Sequence, residues 1–494
     1  MSVIWSDILG SSFAGRSLNA SANRLVNLYT ELHTNTGEGK ARGVLYSCPG
    51  LVRKFEVQET PIRGMATTGR TLYFMAGDRM YAARNGVNPV AAPERHWTSG
   101  GSVSIILNDS YVPAVGGRRM QVGVADGGFW TVYGYDPADE SRCLTVTRPG
   151  GDDGRMYYAD VATSMHGYGV LVTSRDNLIR TTDSNNLLRV GGLNFGVASL
   201  YPGSLVSAAV LNQEVWAFSS RGAEVWSDVG TYPFPLARQM TSIEEGCIAP
   251  YSVANVGGRL IWLGQSTRGS VVAFASEGYR ASRISTHAQE YEWQTYSTLS
   301  DAVGYAYQQG GHTFYVLNFL AAGKTWCYDT TTGLWHERAA FSNGEWARHP
   351  VGFHAAVGPE NLVGSVESGT IYTYDLNSYT DDVRPRHWVR RWRALTEVAT
   401  EPMTYSSLRV DMETGMTAMA DDTPTMLLRW SDDGGHTWSG YRRASAGKVG
   451  ETRAYVQFNR LGSTRRHTGL DRIFELSGDA NMRVAIVGAQ LDVG

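Results

Sequence analysis

The chain has 494 residues, 42% of them hydrophobic and 18% charged, which is enough apolar material to bury a core and excludes a disordered chain. Its formal net charge is only -3, which excludes a uniformly basic nucleic-acid binder. The 56 glycines, 26 tyrosines and 14 tryptophans form the composition of short aromatic and β-branched strands separated by glycine turns.

The first notable segment is polar and irregular. It runs Asn19-Ala-Ser-Ala-Asn23-Arg24-Leu25-Val26-Asn27-Leu28-Tyr29-Thr30-Glu31, then a loop, then Leu45-Tyr46-Ser47-Cys48-Pro49-Gly50-Leu51. Residues 16–50 are too polar to fold alone, yet they concentrate Leu25, Val26, Leu28 and Tyr29. They are expected to order by packing on the chain's own core or on a neighbouring copy, with Arg24, Val26, Asn27, Leu28 and Tyr29 as packing or assembly residues and the Pro49-Gly50-Leu51 turn leading into the first repeat. The start MSVIWSDILGSSFAGRS lacks a basic region followed by a long apolar core, so no secretory signal is expected. No 18-residue apolar run occurs, so no membrane association is expected. Cys48, Cys143, Cys247 and Cys327 form no CxxC pair and no Cys/His metal spacing, and read as free thiols of a protein made in the cytoplasm.

From about residue 56 to 383, β-type runs recur at intervals of about 40 to 60 residues, the period of four-stranded propeller blades. Units begin near Gly64, Ser102, Asp160, Gly203, Pro250, Ala302 and Pro350. The fold class expected is all-β, a β-propeller of about seven blades (56–383) with an N-terminal arm (1–55) and a C-terminal β-sandwich-like module (384–494). Strand–glycine turn–strand patterns at Val253–Leu263 and Tyr305–Val316 support blades. Residues 134–159 read as a loop-rich insertion in the second unit.

The character changes near residue 380. Arg384-Pro385-Arg386-His387-Trp388-Val389-Arg390-Arg391-Trp392-Arg393 packs five arginines and two tryptophans into ten residues. Arginine and tryptophan anchor interfaces, so Arg386, Trp388, Arg390, Arg391 and Trp392 rank first as interface residues, second as a blade-closing strand and third as a DNA contact. Across the chain 40 arginines stand against four lysines, a bias that interface chemistry and a GC-rich genome both produce.

The sharpest local motif is Ser431-Asp432-Asp433-Gly434-Gly435-His436-Thr437-Trp438, which fits the Asp-box S-x-D-x-G-x-T-W familiar from sialidases. It is read as a structural turn: Asp433 bonds backbone N–H groups across it, Gly435 supplies a permissive φ, and Ser431 and Trp438 close it. A single box outside the repeats makes a propeller-type glycosidase acting on surface polysaccharide the alternative function. His349 and His354 lack a third ligand and read as sheet histidines. The acidic pairs Asp152-Asp153, Glu244-Glu245, Asp381-Asp382 and Asp421-Asp422 read as loop carboxylates, although any two meeting in space would make a glycosidase pair. No G-x-S-x-G elbow or Walker loop occurs. No catalytic, cofactor or metal residues are assigned, and the chain is not expected to be an enzyme.

Taken in order, Asn23-Arg24-x-Val26-Asn27-Leu28-Tyr29-x-Glu31 and Pro49-Gly50-Leu51 resemble the start of the packaged-DNA stabilisation proteins, the tail accessory or hub proteins of short-tailed bacteriophages. Asn23, Thr30 and Cys48 depart from the usual glutamine, proline and threonine. The likeness continues at Ile261–Gly264, Gly278-Tyr279, Arg283–His287 and Leu362–Tyr372, and at Met426–Trp438 followed by Leu461-Gly462. The resemblance implies a structural virion protein of the tail, made in the host bacterial cytoplasm. It implies a sixfold ring of this chain below the portal-adaptor ring protein. That ring would close the head, retain packaged DNA, meet tail spike, fibre and needle proteins, and contact DNA at most peripherally.

Overall fold

The computed structural model describes residues 2–6, 8–16, 21–33, 42–84, 87–114, 117–150, 155–266, 269–394, 403–417, 423–464 and 472–494. Asn19 and the pairs Asp152-Asp153 and Asp421-Asp422 lie outside these residues. Among them one short helix, His287–Trp293, interrupts an otherwise all-β chain.

The repeating units are four-stranded antiparallel meanders. The first comprises Ile62–Thr68, Thr71–Ala76, Arg79–Arg84 and Val90–Ala91. Meanders of the same order follow over 104–147, 161–197 and 205–243. The next, over 246–283, adds a fifth short strand, and the unit after it begins at Val303. Two-residue glycine hairpins make the tight turns. Gly257 and Gly258 take φ of 60° and 82° between the paired residues Val256 and Arg259, as a hairpin of this hand requires.

The first full strands of successive units lie side by side, and the circuit returns from Val351–Val357 to Ile62–Thr68. Each unit buries its apolar faces against its neighbours, as Tyr73, Met75, Val122, Val124 and Tyr133 do between the first two. This radial packing is a β-propeller. A cavity of about 350 Å³ runs among the innermost strands, past Gly64, Ala162, Ser207, Asn255, Gly304 and Gly352, and no Arg, Lys, Asp or Glu lines it.

Residues 134–159 are not simply an insertion. Thr131–Tyr135 and Cys143–Thr147 are the third and fourth strands of their unit. The fourth is an edge strand, partly solvated on both faces, so its sequence lacks the apolar alternation of a core strand.

The unit formed by Val351–Val357, Glu360–Ser365 and Thr370–Asp375 takes its outer strand from far upstream. Gly50–Glu56 pairs antiparallel with Thr370–Asp375, Leu51 opposite Tyr374 and Arg53 opposite Tyr372. The chain therefore passes from Pro49 into the rim of the last unit before it enters the first. Gly50 is required there, since a Cβ would lie 2.4 Å from the Ser378 carbonyl oxygen.

The C-terminal residues form a β-sandwich with N-terminal strands built in. One sheet runs Leu28–Leu32, Gly43–Ser47, Ala485–Val493, Thr404–Met412, Val456–Ser463, with Ser2–Ser6 also on Ala485–Val493. The other runs Ala22–Val26, Trp388–Arg393, Ile473–Gly478, Thr425–Ser431, Arg442–Ser445. Leu408, Leu428, Phe458, Leu476 and Leu491 fill the space between them, joined by Ile8, Leu25 and Leu28. Replacing Leu51 by alanine, which empties a fully buried position in the clasp strand, is expected to lower stability by about 2–5 kcal/mol. A denaturant midpoint equal to that of the parent would show that the strand does not hold the ring.

Candidate assembly site

The residues singled out near the N-terminus, at 386–392 and in the Asp-box converge on the junction between propeller and sandwich. Ala22–Val26 lies between them. On one side it pairs antiparallel with the sandwich strand Trp388–Arg393, Arg24 opposite Arg391 and Leu25 opposite Arg390. On the other, Val26 bridges in parallel to Glu337 of the propeller strand Leu334–Ser342.

The side chains alternate between the two bodies as strand geometry requires. Leu25 and Leu28 enter the sandwich core, and each contributes about 1.5–3 kcal/mol relative to exposure. Val26 is completely buried. Tyr29 enters the propeller, edge-on to His312 and Phe314 at centroid distances of 5.1 and 5.5 Å. Arg24 forks onto Glu337, with Nε to Oε1 at 3.1 Å and Nη2 to Oε2 at 2.9 Å. Burial opposes charge on Glu337, but Arg24, with the Ser12 hydroxyl donating at 2.9 Å, holds its carboxyl below the usual range.

Asn27 uses all its polar atoms. Its Nδ2 donates to the Ala339 and His387 carbonyl oxygens, both at 2.7 Å, and its Oδ1 accepts from the Ala339 N–H at 3.1 Å. Its own N–H donates to the Glu337 carbonyl oxygen and its carbonyl accepts from Cys48 N–H. The residue sits at φ 57°, a conformation that asparagine tolerates better than most side chains.

From Arg386 to Trp392 the arginine and tryptophan cluster is used inside the chain, while Arg384 is exposed. Arg390, fully buried, donates from Nε to the Ile8 carbonyl oxygen at 2.5 Å and from Nη2 to that of Leu9 at 2.8 Å. Trp392, also fully buried, donates to the Ser6 hydroxyl at 2.8 Å. Trp388 packs in the sandwich core. Arg386 is buried near Asp381, whose carboxyl burial pushes up despite Arg386 and Arg338. Arg391 and Arg429 share Glu475 and lie over the Trp438 ring at 4.8 and 4.7 Å. Trp438 belongs to the Asp-box, so two motifs distant in sequence share one ion cluster.

The box itself is a closed turn. Asp433 accepts from the Ser431 hydroxyl at 2.7 Å and the Thr437 N–H at 2.8 Å; Gly435 N–H donates to Ser431 Oγ at 2.8 Å. Gly434 and Gly435 take φ of 73° and 92°. These hydrogen bonds, those of the Thr437 hydroxyl and backbone first, hold the Asp433 carboxyl well below the usual range. The adjacent Asp432 binds Arg472 through both oxygens, at 2.7 and 2.8 Å.

The histidines and the described acidic pair at 381–382 singled out in the sequence are placed as follows. His349 is buried against the Tyr374 hydroxyl at 3.3 Å. His354 bonds Asn361 and is pushed down to about 4 by burial. Asp381 is half-buried while Asp382 pairs with Arg53 at 2.6 Å. Among the described residues no group of three or more His, Cys, Asp or Glu stands at metal-ligating geometry.

Sequence reading missed the acceptors: Glu337, Glu475, and the carbonyls of Ile8 and Leu9. A detectable signal existed in Glu337, a lone carboxylate inside the strand Leu-Trp-His-Glu-Arg-Ala-Ala, since buried carboxylates require partners. His312 was missed too. It joins Asp329 at 2.7 Å and Glu31 of the N-terminal segment at 3.4 Å.

Replacing Asn27 by alanine is expected to cost about 2–4 kcal/mol, combining orphaned partners with an unfavourable φ. Glycine at this position restores the φ but not the bonds, so it is expected to recover only part of the loss in denaturant unfolding. Full recovery would assign the effect to backbone conformation alone. For His312, the Asp329 hydrogen bond, opposed by burial and aided by Glu31, raises the folded pKa. The stability this adds is complete below the unfolded value near 6.5 and is lost as pH rises through the raised folded value. The depressed pKa of Asp329 makes the same pair fail in acid as pH falls through it. Melting temperatures of the parent and of His312→Gln are expected to converge as pH rises above neutrality; parallel profiles would remove His312 from this role.

A family described as bacteriophage P22 Gp10, β-propeller, matches residues 20–342, and one described as bacteriophage P22 Gp10, β-sandwich, matches residues 387–494. No curated protein matches significantly. Among solved structures, one match is PorZ, an essential surface component of the type-IX secretion system of Porphyromonas gingivalis. It is 9% identical over 74% of this chain and 44% of that one, with a TM-score of 0.33. The chain thus spans less than half the length of that protein, and likeness at this score says nothing about function.

Proposed function

The chain belongs to the bacteriophage P22 Gp10 family of structural tail and DNA-stabilisation proteins, and from that premise we propose that it is the hub that closes the filled head. In this reading copies form a sixfold ring below the portal-adaptor ring, keep packaged DNA in place and anchor the spike or fibre and the tail needle. The observation that carries the reading is the tandem match of both domains in one chain, 20–342 and then 387–494.

The junction supports this reading because it couples the two bodies mechanically. Ala22–Val26 ties propeller to sandwich through backbone pairing, an ion pair and the Asn27 amide together, so tension on one body passes to the other through many bonds. A rigid disc with two faces and a rim offers separate surfaces for different neighbours. Assigning Arg24, Asn27, Arg390 and Trp392 to this internal joint is part of the proposal.

The test is production of particles without this protein. Heads that package DNA and then lose it, with spikes missing, are the expected result in negative-stain images and nuclease-protection assays. Tailed, DNA-filled particles forming normally would overturn the reading.

A further inference from the structure

The open edge of the sandwich carries a charge pattern that the junction does not use. Two edge strands end the two sheets side by side, Arg442–Ser445 and Val456–Ser463. Each pairs on one side only, with Thr425–Ser431 and Thr404–Met412 respectively. Residues 441–463 hold Arg442, Arg443, Lys448, Arg453 and Arg460 against the single carboxylate of Glu451, in a chain that is net negative. All five cations are exposed. Glu451 is engaged locally, accepting the Lys448 N–H at 2.8 Å.

The contrast with the junction is chemical. There, Arg24 has Glu337, Arg391 and Arg429 have Glu475, and Arg472 has Asp432. On the edge Arg442, Arg443, Arg453 and Arg460, and on the adjoining strand Arg409, form no ion pair among the described residues. Exposed phenols interleave them. Tyr455 is 68% exposed with Arg409 stacked at 4.4 Å, and Tyr441 is 50% exposed with Arg429 at 5.1 Å.

We propose that this edge binds the phosphate backbone of duplex nucleic acid. Unpaired guanidinium groups, tyrosine hydroxyls and the free N–H groups of edge strands are the donors that phosphate oxygens accept. An eight-residue edge strand is about 26 Å long, enough to follow several successive phosphates. An acidic protein fits less well, because protein interfaces have an apolar centre and Val449 is the one large aliphatic side chain exposed in 441–463. Among the described residues no helix or paired ribbon projects here to enter a groove, so the contact proposed is independent of base sequence. The proposal rests on the reading of the chain as a DNA-retaining virion component and names the surface involved.

The experiment is fluorescence anisotropy of a labelled random duplex with the full-length protein over a NaCl series from about 50 mM. The expected result is binding whose log K falls linearly with log salt. In Arg442→Gln/Arg443→Gln the slope is expected to shrink by about 2, at about 0.9 per lost phosphate contact, with thermal unfolding unchanged. Arg238→Gln, on an exposed rim position of the propeller, is expected to bind like the parent. Absence of binding at low salt, a slope unchanged in the double variant, or displacement of the duplex by polyglutamate at equal charge would each overturn the proposal, the last in favour of an acidic protein partner. Particles that retain DNA without the protein, alongside normal duplex binding, would reject the hub reading and leave this surface standing. Loss of DNA from such particles, alongside no duplex binding, would do the reverse.

Discussion

One left-handed asparagine sets the geometry of the joint. Asn27 bonds a propeller carbonyl and N–H, the His387 carbonyl leading into the sandwich, and the backbone at Cys48. Its φ turns the chain between two strands of different sheets, Ala22–Val26 and Leu28–Leu32. That turn sends Leu28 into the sandwich and Tyr29 into the propeller. The positions of Arg24 on Glu337 and of the Gly50–Glu56 clasp follow from the same path.

Hydrophobic burial supplies the energy and the ionic groups supply the register. Buried ion pairs are poor sources of stability because desolvation offsets their attraction, but leaving one partner alone is costly. Every wrong register of Trp388–Arg393 would strand Arg390 and Arg391 without Ile8, Leu9 and Glu475. The same logic explains why Glu475 serves two arginines: one carboxylate with both oxygens occupied compensates Arg391 and Arg429 and seats the Asp-box tryptophan between them.

Legibility in the sequence tracked how local each feature is. Unit starts near Ser102, Asp160, Ala302 and Pro350 fall within two residues of strands beginning at Ser104, Val161, Val303 and Val351, because alternation and glycine turns are short-range signals. The Asp-box turn was likewise readable, since all its bonds span a few residues. The edge strand Cys143–Thr147 was lost because solvation removes its apolar pattern. The pairings of Glu337 and Glu475 were lost because the arginines that meet them stand 313, 84 and 46 residues away, beyond any local pattern.

The sequence by itself determined an all-β chain of repeated meanders and a change of character near residue 380. Only the tertiary structure decided that the N-terminal residues are strands of two other bodies, and that Gly50–Glu56 completes the last unit. Local periodicity specifies which residues form a strand. Which edge that strand joins depends on long-range hydrogen bonds and packing, and these exist only once the ring and the sandwich have come together.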